Sequence, residues 1–198
     1  MADEEEKLRA DARANRDRIL DVARDAFAAD PDVSLNAIAK AAGVGAGTLY
    51  RHFPTREALV LGVYQKEIEA LVALAPMLLA GHPPLKAFRM WCDRLAEFGR
   101  MKHGVADLLH AARSSQDFEA TYWPMLDAVR KLMSACESSG EIRPGADAED
   151  FLMLAGLLWR IPPTPAGEAR VERLLALVFR GLGAEDAEDA LAQEVRSS

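Results

Sequence analysis

The sequence predicts an all-α protein of about nine helices, on three observations. β-Branched residues are sparse while Ala, Leu, Arg, Glu and Met dominate, so intrinsic propensity runs toward helix. Apolar residues recur at offsets of three and four through most of the chain, the stripe of helices packed on one side. Short breaks punctuate those stretches, among them Gly81-His82-Pro83-Pro84 and Pro162-Pro163-Thr164-Pro165.

The first helix is read over Arg16 to Ala28, with Ile19, Val22, Ala23, Ala26 and Phe27 on one stripe and Asp30-Pro31 ending it. Ser34 is a good N-cap for a short second helix carrying Leu35, Ile38, Ala39 and Ala42, and Gly43 supplies the turn. A third helix is placed at about Gly45 to His52, stopped by Pro54. Thr55 with Arg56, Glu57 and Ala58 reads as the capped start of a long fourth helix reaching toward Leu79, with Pro76 a point to kink or end it. A helix bearing Leu85, Phe88, Cys92, Leu95 and Gly99 follows, then a shorter one over Gly104 to Arg113, then an amphipathic one from Phe118 to Met133 stopped near Ser138-Ser139-Gly140. Ala148 to Ile161 and Glu168 to Leu182 are the last two, and both chain termini read as disordered.

The chain has 198 residues, half of them apolar, enough for one substantial core or a small module docked on a larger one. Cys92 and Cys136 are far apart in sequence and outside any metal-ligand spacing, so buried or half-buried thiols are expected, with no disulfide framework, metal site or cofactor. No apolar run approaches the roughly 18 to 20 residues of a membrane span, and Met1 to Ala14 is charged rather than a signal peptide. A cytoplasmic protein without a membrane partner is expected. The net charge of −7 argues against nucleic acid only if it is spread evenly. It is not. From Val33 to Arg56 the charged residues are Lys40, Arg51 and Arg56 alone, while acids crowd Asp3 to Glu6 and Glu185 to Asp189.

A helix-turn-helix needs two short helices crossing steeply, a small residue where they touch, a turn that tolerates unusual φ, and apolar anchors for the second helix. Leu35 to Phe53 meets each demand: Ala39 is the small contact, Gly43 the turn, Val44 and Leu49 the anchors, and Ile38 points into the core. The run from Ile38 to Phe53 closely resembles the DNA-binding motif of the TetR/AcrR family of transcriptional regulators. Pro54 to Leu59 resembles its continuation into the fourth helix, and Arg18 to Ala23 with Phe27 its first helix. Ala87 to Ala111, especially Met101-Lys102-His103-Gly104, resembles more faintly the regulatory domain of an SbtR-like subgroup.

The resemblance implies a homodimer with recognition helices in successive major grooves of a palindromic double-stranded operator. Carried over by position, Thr48, Tyr50 and His52 would contact phosphates or bases, and Ser34 and Arg56 would grip the backbone. Gly45 and Gly47 permit close approach to DNA. Because Gly45-Ala46-Gly47 has no side-chain donor, base readout falls to Thr48, Arg51 and Asn36. Solvated or internally paired guanidiniums remain open for Arg51 and Arg56, and a half-core role for Tyr50.

The same resemblance divides the chain into a DNA-binding domain over 1–60, a ligand-binding and dimerisation domain over 61–184, and an acidic tail, disordered, over 185–198. It places a small, largely apolar effector in the second domain. Trp91, Leu95, Phe98, Met101, Leu109, Tyr122, Met125 and Trp159 are the candidate walls, with His110 and Arg113 as polar handles. Plain core is the competing reading for each. Phe151, Leu154, Leu158, Val171, Leu174, Leu175 and Val178 give the last two helices more apolar surface than a single core contact needs, so they are the candidate dimer interface.

The function expected is therefore a ligand-responsive regulator, a repressor released by its effector, with an activator or a ligandless DNA binder of the same fold as the alternative. A small helical enzyme is favoured least. There is no Gly-x-Ser-x-Gly, phosphate-binding glycine loop or His-Glu-x-x-His, and Asp147, Glu149 and Asp150 read as a helix start.

Overall fold

The computed structural model describes residues 2–112, 114–158 and 160–184. Among them it shows eight helices and no strand: α1 (Ala2–Ala29), α2 (Leu35–Ala41), α3 (Ala46–His52), α4 (Arg56–Gly81), α5 (Pro84–Ala112), α6 (Ser115–Ser138), α7 (Ala148–Leu158) and α8 (Pro165–Gly181). The fold is all-α, as the sequence predicts.

Three features differ from the sequence reading. The expected helices over 85–99 and 104–113 are joined in α5, whose helical geometry lapses only at Val105 (φ −122°, ψ 16°), so the break costs one residue and not a loop. The count therefore falls from about nine to eight. The first helix starts at Ala2, not Arg16, since acids fill the first turn where the helix dipole favours them and alanines recur through it. Pro76 neither ends nor splits α4, which runs on to Gly81. The proline withdraws a donor from the Val72 carbonyl, and one residue earlier the Trp91 indole N–H donates to the Leu71 carbonyl at 2.8 Å. The acidic segment 185–198 lies outside the described residues.

The chain forms two compact units, Met1–Glu69 with Met101–Phe118, and Ala70–Arg100 with Glu119–Ser198. In the first, Ile19, Leu20, Ala23 and Phe27 of α1, Ile38 and Ala39 of α2, Leu49 of α3, and Leu59 and Val63 of α4 are all buried. Burying each large side chain contributes roughly 1.5–3 kcal/mol. At Gly62 a Cβ would stand 2.9 Å from the Phe53 ring, so glycine is what lets α4 come this close to the end of α3. Polar ties hold α4 to α1: Lys66 bonds Asp21 at 2.7 Å and the Asp17 carbonyl at 3.1 Å, and Arg24 meets the buried Glu67 at 3.5 Å. Gln65 donates to Asp117, which together with Ser114 caps the start of α6.

In the second unit Phe88 packs on Phe151 and Phe179, with ring centroids 4.9 and 5.2 Å apart, and the Arg89 guanidinium lies over Phe179. These contacts join α5 to α7 and α8.

Candidate nucleic-acid interface

The helix-turn-helix is built as its sequence dictates. The Ser34 hydroxyl oxygen accepts from the Ala37 amide at 3.2 Å and caps α2, which leaves its own proton to donate outward. Gly43 sits at φ +66°, and the Val44 and Gly43 amides donate to the carbonyls of Ala39 and Lys40. This is the Schellman closure, in which only glycine adopts the left-handed turn without strain. α3 then hangs on Leu49, fully buried, and on Phe53, which caps its end.

That anchoring decides which side chains are offered to solvent. Ala46, Gly47, Tyr50 and Arg51 are exposed, and Thr48 and His52 are half-buried. Gly45 and Ser34, the caps of α3 and α2, and Asn36 and Lys40 within α2 are also exposed. The Arg51 guanidinium folds back along its own helix, donating to the Gly47 carbonyl at 3.1 Å and to the Thr48 hydroxyl at 3.4 Å, so it is held in place on the outer face. The fold has no use for a glycine at 47: a Cβ there meets nothing within 4 Å, and its φ is not positive. A glycine inside a helix costs about 1 kcal/mol against alanine.

Arg56 does more inside the protein than the sequence reading assigned to it. It donates to the Val33 and Pro31 carbonyls, and its guanidinium lies 5.0 Å over the Phe27 ring, tying the loop before α2 to the start of α4. Beside it, the Glu57 carboxylate is held below its ordinary range by its own backbone amide and then by the Thr55 hydroxyl. Thr55 also caps α4 by accepting from the Ala58 amide at 3.1 Å. Arg16 was missed in the sequence. Its guanidinium lies 5.5 Å over the Phe53 ring, and its register on α1, four residues before Leu20, is the signal that places it there.

α7 and α8 present a second surface. Met153, Leu154, Leu157, Leu174 and Leu177 are exposed, and a groove of about 580 Å³ between the two helices is lined by Phe151, Leu154, Leu158, Leu174, Leu175 and Val178 among others. Val171 instead lines a smaller cavity with Asp93, Glu97 and Glu172. Leu157 and Leu177 belong to the same face, one helical turn from Leu154 and Leu174.

The candidate effector residues are placed otherwise. Trp91, Leu95, Phe98 and Met125 are buried in the second unit, Leu109 in the first, and Tyr122 is half-buried with its hydroxyl donating to Glu149 at 2.6 Å. That bond pushes the phenol above its ordinary range. Arg113 and Trp159, and the side chains of Met101 and His110, lie outside the described residues. None of the placed side chains lines the α7/α8 groove or the cavities beside Asp93 and beside Pro76. Among the described residues no group of acids, histidines and cysteines has metal-site geometry, and no helix is long and apolar enough to cross a membrane.

Comparison with known proteins meets this geometry at both ends of the chain. Residues 19–63 match the family model described as bacterial regulatory proteins, tetR family, and residues 83–184 match that of the transcriptional regulator SbtR-like C-terminal domain. The structure of a TetR transcriptional regulator from Streptomyces coelicolor is 38% identical, with a TM-score of 0.74 over 84% of this chain and 97% of that one. A TetR regulatory protein from Mycobacterium vanbaalenii is 32% identical, with a TM-score of 0.70 over 88% and 98%. An HTH-type transcriptional regulator of Staphylococcus aureus strain USA300 is 39% identical over 67 residues, 33% of this chain. The chain spans only about a third (36%) of the length of that curated relative.

Proposed function

Because this chain belongs to the TetR family of bacterial transcriptional regulators, we propose that it works as a homodimeric repressor that holds a palindromic operator and releases it when a small, largely apolar effector binds. The observation that carries the reading is the anchored recognition helix. Leu49 and Phe53 fix α3 from inside, and Thr48, Tyr50, Arg51 and His52 stand on or near its outer face. Hydroxyls, an imidazole and a guanidinium fixed in this way suit phosphate oxygens and base edges. In this reading Ser34 and Arg56 hold the DNA backbone, Asn36 joins Thr48 and Arg51 in base readout, and Gly45-Ala46-Gly47 lets the DNA come close. Enzymatic chemistry has no place in it, since the relatives are transcriptional regulators.

The dimer is supported by the α7/α8 face, where the exposed Leu154, Leu157, Leu174 and Leu177 line one groove. Effector release would follow if the ligand prefers a conformation in which the two recognition helices no longer match the groove spacing, by no more than its differential affinity. α4 is the covalent route for that change, since residues 56–69 belong to one unit and residues 70–81 to the other. The cytoplasm is the compartment in which such a protein meets its operator.

One observation favours a ligandless regulator as the second reading. Trp91, Leu95 and Phe98 are essentially without exposure, and the indole N–H already has its acceptor. Duplexes selected from a random-sequence pool by the full-length chain test the DNA claim, and a palindromic consensus is expected. Thermal melting against a panel of small aromatic and aliphatic compounds tests induction. A compound that raises Tm should weaken operator binding; if every stabilising compound leaves operator affinity unchanged, the ligandless reading replaces the inducible one.

A further inference from the structure

α1 is 28 residues long, yet among its described side chains the first buried one is Ile19, and Ala10 through Ala14 are all exposed. Over residues 10–18 the helix therefore continues for turns that bury no side chain in the apolar core. Their register gives them a different use. The core stripe of α1 runs back from Phe27 through Ala23 to Leu20 in steps of four and three. Continued in the same steps, it passes through Arg16, Arg13 and Arg9. Where the helix leaves the core, the positions that continue this stripe are arginines.

The inner end of that stripe is fixed beside the recognition helix. The Arg16 guanidinium lies 5.5 Å over the ring of Phe53, the residue that ends α3 directly after Arg51 and His52. Of the acids between residues 9 and 17, Asp11 falls off the stripe, while Asp17 stands one helical turn from Arg13 at its edge, with its carbonyl bonded by Lys66. Glu5 and Glu6 bound it about one turn beyond Arg9.

We propose that Arg9, Arg13 and Arg16 form a second phosphate-binding strip that grips the operator backbone beside the recognition helix, a proposal resting on the DNA-binding function above. Charge complementarity and continuity with the end of α3 select DNA as the occupant. Seven residues of helix span about 10 Å, over which one DNA strand presents about three phosphates at 3.4 Å each along the axis. The strip also meets a need of this particular interface, because Gly45-Ala46-Gly47 gives α3 few donors of its own.

The test uses the full-length chain and a duplex it selects from a random-sequence pool, with dissociation constants measured from 50 to 200 mM salt. Arg13→Gln alters an exposed residue and leaves Arg16 on Phe53. It should lower the slope of log affinity against log salt by about 2 for the dimer, one phosphate per subunit at roughly 0.9 each, and weaken binding on the order of tenfold. Base preference and Tm should stay unchanged, and Arg13→Lys should restore most of the slope. An unchanged slope and affinity in both Arg13→Gln and the Arg9→Gln/Arg13→Gln pair would mean a merely solvated stripe and overturn the proposal. A changed base preference would overturn it in favour of base readout. If the unaltered chain selects no duplex, the DNA-binding reading itself falls and the strip with it.

Discussion

Arg56 shows how much one side chain's role depends on what it touches. Its guanidinium spans two carbonyls, Pro31 and Val33, and covers the Phe27 ring. Charge-assisted bonds to carbonyls and a cation over an aromatic face are each worth about 1 kcal/mol or more. Arg56→Ala should therefore lower stability by about 2 kcal/mol in a denaturant titration, and Arg56→Lys should recover only part, since an ammonium lacks the planar fork. A variant that kept full stability and lost only operator affinity would return the residue to a purely DNA-facing role. The cysteines make the opposite case, chemistry suppressed by burial. Desolvation raises both thiols, Cys136 to about 12 from an ordinary value of 9.0. A raised folded-state pKa means the contribution is complete below pH 9 and is lost as pH climbs from 9 toward 12. Native protein at pH 8 should resist thiol labelling and react only when unfolded, and Cys136→Ala should lose less stability over that alkaline interval than the unaltered chain.

Among the elements, α3 keeps a residue that weakens it. Gly47 lies within a seven-residue helix, has open space where a Cβ would stand, and is not at positive φ. The physics of the fold alone would choose alanine. Gly47→Ala should raise stability by about 0.5–1 kcal/mol, read as a higher Tm, and should weaken operator binding if the DNA backbone approaches there. Tighter or equal binding would remove the close-approach argument. The same helix shows why this module was legible in sequence: Ser34, Gly43, Leu49 and Pro54 are local signals, each acting within a few residues of itself. Elements governed by distant contacts were less legible. The single-residue lapse at Val105 leaves no breaker to mark it as less than a loop, and the passage of α4 through Pro76 is accompanied by a tryptophan fifteen residues downstream. The reach of α1 back to Ala2 was concealed because its early turns lack the apolar periodicity by which helices are recognised.

At the level of the whole molecule the issue is where charge and apolar surface are left over. A chain of net charge −7 approaches DNA only through a region poor in acids, and Val33 to Arg56 has one carboxylate-free set of three cations. Among the described residues α7 and α8 carry half of the exposed large apolar side chains, and there the candidate residues divide by depth. Phe151, Leu158 and Leu175 are buried within the protomer, while Leu154 at 52% exposure and Leu177 at 65% face outward, a distinction of depth that composition does not resolve. The outward pair decides the test. In an isologous dimer each substitution occurs twice, and a glutamate placed in the seam either buries a charge or keeps the subunits apart. Leu154→Glu/Leu177→Glu should therefore sediment as a monomer at micromolar concentration, where the unaltered chain sediments at twice that mass. Unfolding of the monomer itself should change little, because both side chains are solvent-facing in the protomer. Operator binding should fall by 10²-fold or more as the second half-site loses its tethered partner, with a single half-site bound at the weak affinity that remains. A variant that stays dimeric and binds with unchanged affinity would place the subunit contact on another face and leave the α7/α8 groove open to a different occupant.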